Sequence, residues 1–86
     1  PEEEYKYECK RTHSFFARLE FAIAETRPTG SILERVHQSR DKAREVRGAA
    51  EALAKKGDYP DAIKELNSST NVLLQAIRMS GIYVPG

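Results

Sequence analysis

The side chains best suited to metal chemistry are Cys9, His13 and His37. Cys9 and His13 are four residues apart, so on a helix both could reach one metal ion. Two ligands are too few for a zinc site, and His37 belongs to a separate predicted helix, too far from His13 to complete one. We therefore expect no metal and no cofactor, and interpret Cys9 as a small core residue.

The sequence contains none of the common catalytic motifs. The sequence contains no glycine-rich phosphate loop, no Gly-x-Ser-x-Gly and no paired Glu-x-x-His motifs. Residues 67–71, Asn-Ser-Ser-Thr-Asn, place small polar side chains within a helical pattern, where Ser69 and Thr70 permit tight helix packing or line a contact to another subunit. We expect a protein that is not an enzyme.

One basic stripe could receive an acidic partner helix or a phosphate. His37, Arg40, Arg44 and Arg47 recur at helical spacing. Residues 28–57 carry seven Lys or Arg against four Asp or Glu, whereas the whole chain has a net charge of only +1. That balance argues against nucleic acid. The alternative is a solvated face whose charges pair along the helix.

A second candidate surface is aromatic. Tyr7, Ser14 and Phe21 recur every seven residues, away from the main apolar stripe of their helix, and suggest a contact with a protein partner. The alternative is that the apolar tail of Ile82, Tyr83 and Val84 folds back over Phe21. We therefore name Tyr83 as a further candidate for partner binding.

These residues must be positioned by helices, because apolar residues recur at intervals of three and four throughout. Three stripes follow this spacing: Tyr5, Cys9, Thr12, Phe16, Leu19, Ile23 and Thr26; Ile32, Val36, Ser39, Ala43, Val46, Ala50 and Leu53; and Tyr59, Ile63, Leu66, Thr70, Leu73, Ile77 and Ser80. The average step of 3.5 residues is typical of helices that pack along their length.

Two clusters of helix-breaking residues separate the stripes. The first cluster is residues 27–30. Ser31 and Glu34, which follow it, have the spacing of a capping box. At the second, Gly57 suits a left-handed helix end, Asp58 can cap the next helix, and Pro60 fits its first turn.

The sequence predicts an all-α single domain, residues 1–86: an antiparallel three-helix up-down-up bundle with helices at about 3–26, 31–56 and 59–80 and an apolar C-terminal tail. Folding at residues 27–30 places Phe16 and Leu19 opposite the small residues Ser39 and Ala43. We therefore expect the first two helix backbones to lie close together.

Composition limits the class of protein. Of the 86 residues, 40% are hydrophobic and 31% charged, and no apolar run is long enough to span a membrane. The lone cysteine cannot form an internal disulfide. The chain begins with Pro1, which a removed signal peptide, an excerpt of a larger helical protein or a trimmed chain would each explain. No targeting segment decides among them, so the compartment stays unknown, and the lack of an initiator Met leans towards export to the periplasm.

Residues 46–69 resemble a tetratricopeptide-type helical hairpin. The matching positions are Val46, Ala49, Ala50 and Leu53 in the first helix, Gly57, Asp58 and Tyr59 in the turn, and Ala62, Leu66 and Ser69 in the second helix. The resemblance covers about a quarter of the chain and implies a hairpin that binds peptides in a concave groove.

The leading hypothesis is a small, non-enzymatic interaction protein, an accessory subunit or adaptor, that binds a protein partner or itself through helix faces. Its candidate contact residues are Tyr7, Phe21, Arg40, Arg44, Arg47 and Tyr83. The alternative is a bundle that carries a ligand or cofactor in its interior, lined by Tyr5, Cys9, His13, Ser69 and Thr70.

Overall fold

The computed structural model describes residues 1–82 and confirms the predicted three-helix bundle. Helix α1 spans Glu2–Thr26, α2 spans Gly30–Lys55 and α3 spans Tyr59–Met79. Neighbouring helices are antiparallel, as an up-down-up bundle requires. Arg40 and Arg47 of α2 contact Glu20 and Phe16 of α1, so residue numbers rise along one helix as they fall along the other. The bundle measures 41 × 22 × 18 Å, so its length is that of one long helix. The predicted partner residue Tyr83 lies outside the described residues.

The turn between α1 and α2 differs from the prediction. Helix α2 begins at Gly30 rather than at residue 31, with Thr29 as the N-cap residue and no side-chain cap hydrogen bond. The predicted capping box of Ser31 and Glu34 is therefore wrong, because Ser31 already lies inside the first turn. Arg27 ends α1 in the left-handed conformation with φ 45°, and its N–H donates to the carbonyl of Ile23.

The corner between α2 and α3 forms as predicted. Gly57 adopts φ 82°, and its N–H donates to the carbonyl of Ala54 at 2.9 Å. The Asp58 N–H donates to the carbonyl of Leu53 at 3.0 Å, which completes a Schellman motif. The Asp58 carboxylate then accepts from the N–H of Asp61 and caps α3.

The predicted stripes line the interior with one exception. Fully or nearly fully buried apolar residues are Leu19, Ala22, Val36, Ala43, Ala50, Ala62, Leu66, Leu73, Ala76 and Ile77. Ile32 is 46% exposed, so its predicted place in the core is wrong. It lies in the first turn of α2, before that helix reaches the core at Val36.

Helix α3 makes the extensive contacts with both other helices, whereas α1 and α2 barely approach each other along the backbone. Small residues explain the close packing of α2 on α3, where Ala43, Ala50 and Ala62 are fully buried. The expected close approach of the α1 and α2 backbones is wrong. Large side chains, including Phe16 and Arg47, lie between these two helices and leave a groove.

Hydroxyl groups satisfy one another inside the bundle. The Oγ1 atoms of Thr12 and Thr70, both buried, lie 2.9 Å apart and link α1 to α3. The buried Ser69 Oγ donates to the carbonyl of Ala43 at 2.8 Å and links α3 to α2. Ser69 and Thr70 thus serve tight helix packing within the chain.

Candidate partner-binding site

The space between α1 and α2 forms a groove of about 380 Å³, which we call the arginine groove. Its lining residues are His13, Phe16, Ala17 and Glu20 from α1 and Arg40, Arg44 and Arg47 from α2. On each helix these positions recur at intervals of one, three or four residues, so each helix contributes one continuous wall. The groove exists because α3 holds α1 and α2 without bringing their backbones together.

The three arginines are held in different ways. Arg40 donates from Nη1 to the Glu20 carboxylate at 2.9 Å and is 20% exposed in its side chain. The Arg47 guanidinium lies 4.3 Å from the centroid of the Phe16 ring, a cation–π contact that orients it along the groove floor. Arg44 is more exposed and lies 3.6 Å from Asp41 on its own helix.

Positive charge predominates in this groove. Three arginines face one glutamate among its lining residues, and that glutamate is already engaged by Arg40. The buried Nε of Arg40 has no hydrogen-bond partner in the structure. Arg44 and Arg47 retain N–H donors for carboxylates, and Phe16 supplies apolar surface. The groove therefore suits a ligand that is both acidic and partly apolar.

The two aromatic residues predicted to bind a partner are exposed but lie outside this groove. Tyr7 and Phe21 are each 64% exposed on another face of α1. Ile82, where the predicted apolar tail begins, lies beside Phe21 and lines a pocket with it. Phe21 nevertheless keeps most of its surface in solvent.

The structure thus divides the predicted contact residues into two sets. Arg40, Arg44 and Arg47 share the arginine groove, whereas Tyr7 and Phe21 belong to a separate surface. The part played by Phe16 in the groove was missed, because it was interpreted as an ordinary core residue. The basic side chains beside Tyr7, namely Lys10, Arg11 and Arg18, were also missed, although their helical spacing relative to Tyr7 could have revealed them.

Residues 1–82 hold neither a cluster of metal ligands nor a membrane-spanning helix. Among them, no three His, Cys, Asp or Glu side chains come close enough to share a metal ion. None of the three helices is sufficiently long and apolar to cross a bilayer.

Comparison with known proteins gives no family assignment. No protein family, no curated protein and no solved structure matches this chain significantly.

Proposed function

We propose that this protein is a non-enzymatic interaction module that binds an acidic amphipathic helix of a partner protein in the arginine groove. The observation that carries the proposal is an open groove between two antiparallel helices, lined by Arg40, Arg44 and Arg47 over an aromatic floor. Grooves of this kind bind helices through apolar anchors at intervals of three and four residues.

A fourth helix in the groove would complete a four-helix bundle. Its apolar face would cover Phe16, which the existing helices leave half-buried, and Ala17, which they leave exposed. Its carboxylates would accept from Arg44 and Arg47 on the α2 wall. Acidic residues on one flank of the partner helix, and apolar residues on the other, therefore fit the two walls.

Preorganisation supports the arginines as binding residues. The stacking of Arg47 on Phe16 and the ion pair of Arg40 with Glu20 reduce the side-chain freedom that binding would otherwise remove. Arginine is also enriched among the residues that dominate binding energy at protein interfaces.

Other occupants fit less well. A second copy would bring its own arginine groove against this one and oppose like charges. A ligand in the bundle interior, the alternative from the sequence, would need hydroxyls that Thr12, Ser69 and Thr70 already use among themselves and with the backbone. The tetratricopeptide-type resemblance of residues 46–69 stays a prediction; it concerns the α2–α3 hairpin, whereas the arginine groove lies between α1 and α2.

Fluorescence anisotropy with two synthetic peptides tests the proposal. The first peptide is an amphipathic helix former with leucine on one face and glutamate along its flank. The second has the same composition in an order without helical periodicity. We expect the first to bind at least about tenfold more tightly, a difference of about 1.4 kcal/mol, and to lose affinity as salt increases.

Charge reversal locates the binding. Arg44→Glu should weaken binding of the acidic helix by about tenfold or more, and a peptide with lysine in place of glutamate should bind this variant better than the wild type. Arg35→Glu makes the same change of charge on an exposed part of α2 outside the groove and should have little effect. Equal binding of the two peptides, or equal effects of the two variants, would refute the proposal.

A further inference from the structure

A second groove follows α1 on the face that carries Tyr7, and we call it the basic-aromatic groove. It is an open depression of about 520 Å³ on α1, lined by Tyr7, Lys10, Arg11, Ser14, Phe15 and Arg18. These residues recur at intervals of one, three or four along the helix, so they form one strip about 16 Å long. It shares no lining residue with the arginine groove.

At one end this groove opens into an apolar pocket. Phe15 and Arg18 line both, and Phe21, Ala22, Ile77 and Ile82 complete the pocket wall. The pocket volume is about 170 Å³. An apolar cavity of about 150 Å³ binds benzene, so this pocket has room for one side chain the size of leucine or phenylalanine.

The charged side chains that line the groove and its pocket are all basic. The Arg11 and Arg18 guanidiniums lie 5.5 and 4.8 Å from the centroid of the Phe15 ring, which holds both along the groove. Arg11 also pairs with Glu8 at 3.5 Å. Within residues 1–82, neither Lys10 nor Arg18 forms an ion pair with a carboxylate, so both remain available to a ligand.

This charge pattern disfavours a second copy of the chain. An antiparallel pairing of two α1 helices centred on Ser14 would place Lys10 of one copy opposite Arg18 of the other. Like charges at such positions oppose association. Nucleic acid would satisfy the basic residues, but it carries no aliphatic side chain for the pocket. The occupant that satisfies both features is an acidic peptide with an apolar anchor.

We propose that the basic-aromatic groove binds an acidic peptide segment that inserts one large apolar side chain into the pocket of Phe15, Phe21 and Ile77. Carboxylates of the segment contact Lys10, Arg11 and Arg18, and Tyr7 packs against its far end. The inference is independent of the arginine groove. With both surfaces occupied, the chain would bridge two acidic segments.

Selection from a random peptide library displayed on phage tests the inference. Peptides are first depleted on the double variant Arg18→Glu/Phe21→Ala and then selected on the wild-type protein. The expected enriched sequences combine an acidic run with a single Leu, Ile, Met, Phe or Trp. Because Phe21 and Arg18 are exposed, both substitutions should leave the helical circular dichroism unchanged.

The selected peptides are then synthesised, and their affinities for the wild type and for single variants are compared. Phe21→Ala and Arg18→Glu, tested singly, should each weaken binding by about tenfold, whereas Arg44→Glu should leave it unchanged. Failure to enrich peptides, enrichment without acidic residues, or equal binding to wild type and Phe21→Ala would overturn the inference. Displacement of the peptide by oligothymidylate at low concentration would do so too, because it would indicate a nucleic-acid surface. The Arg44→Glu control ensures that the arginine groove is judged separately.

Discussion

At the scale of single residues, the pairing of Thr12 with Thr70 has a measurable consequence. Thr12→Val keeps the shape of the side chain but leaves the buried Thr70 hydroxyl without its partner at 2.9 Å. We expect a loss of about 1–2 kcal/mol in the free energy of unfolding. Urea denaturation followed by circular dichroism measures this loss.

The double variant tests whether the two hydroxyls act as a pair. Thr12→Val/Thr70→Val removes both polar groups, so it should cost less than the sum of the two single substitutions. Ser14→Ala, an exposed hydroxyl on the same helix, should change stability by about 0.5 kcal/mol or less. Additive single effects would show that the contact contributes nothing of its own.

Tyr5 supplies a pH-dependent signal. Burial raises the pKa of Tyr5 to about 12, helped by a side-chain hydrogen bond with Cys9. Because folding favours the protonated phenol, the stability that it contributes is present below pH about 10, the ordinary tyrosine value, and is lost as the pH rises toward 12. Subtracting the tyrosinate absorbance titration of Tyr5→Phe from that of the wild type should isolate this late ionisation. A difference curve centred near pH 10 would contradict it.

Sequence patterns predicted the exposure of a side chain correctly where that exposure depends on its position within a single helix. The exposure of Tyr7 and Phe21 follows from their position away from the apolar stripe of α1. The stacking of Arg47 on Phe16 could not be found in this way. It depends on the rotation of α2 relative to α1, which spacing within either helix does not determine.

At the scale of the elements, two glycines of similar surroundings should respond in opposite directions to substitution by alanine. A Cβ atom added at Gly48 or Gly57 would meet nothing within 4 Å, so neither change creates a clash. Gly57 has φ 82° at the end of α2, and Gly57→Ala should cost about 1 kcal/mol. Gly48 lies inside α2, and Gly48→Ala should stabilise by about 0.5–1 kcal/mol.

Thermal unfolding of these two variants measures both effects. For a domain of this size, 1 kcal/mol corresponds to a shift of about 4–8 °C in Tm. Gly57→Ala should therefore melt at a lower temperature than the wild type and Gly48→Ala at a higher one. Shifts of the same sign would show that the left-handed conformation at Gly57 does not limit the stability of the corner.

The sequence predicted helix bounds within about one residue because the breaking signals are local. Gly57, Asp58 and Pro60 act through backbone conformation and capping within a few residues. The capping box predicted at Ser31 was wrong because two hydroxyl residues, Thr29 and Ser31, flank the first residue of α2 and either could have been the N-cap residue. Thr29 takes the N-cap position there without using its hydroxyl.

At the scale of the whole molecule, the spacing of apolar residues within each helix could not predict which helices pack closely together. Phe16 and Leu19 opposite Ser39 and Ala43 suggested that α1 and α2 pack closely. Instead, α3 packs closely against the small residues of α2, and Ser69 donates a hydrogen bond to the Ala43 carbonyl. The arginine groove results from that choice of partner, so its basic stripe was predictable but its opposite wall was not.

NMR can locate the acidic amphipathic peptide on the protein and so tests the proposed arginine groove directly. Titration of ¹⁵N-labelled protein should shift amide resonances of residues 13–20 in α1 and 40–47 in α2, which form the two walls of the arginine groove. Amides on the α3 side of the bundle should change little, and the Arg44→Glu variant should show much smaller shifts at the same peptide concentration. Shifts spread evenly over the molecule, or confined to the face of Tyr7 and Phe21, would contradict the proposed groove.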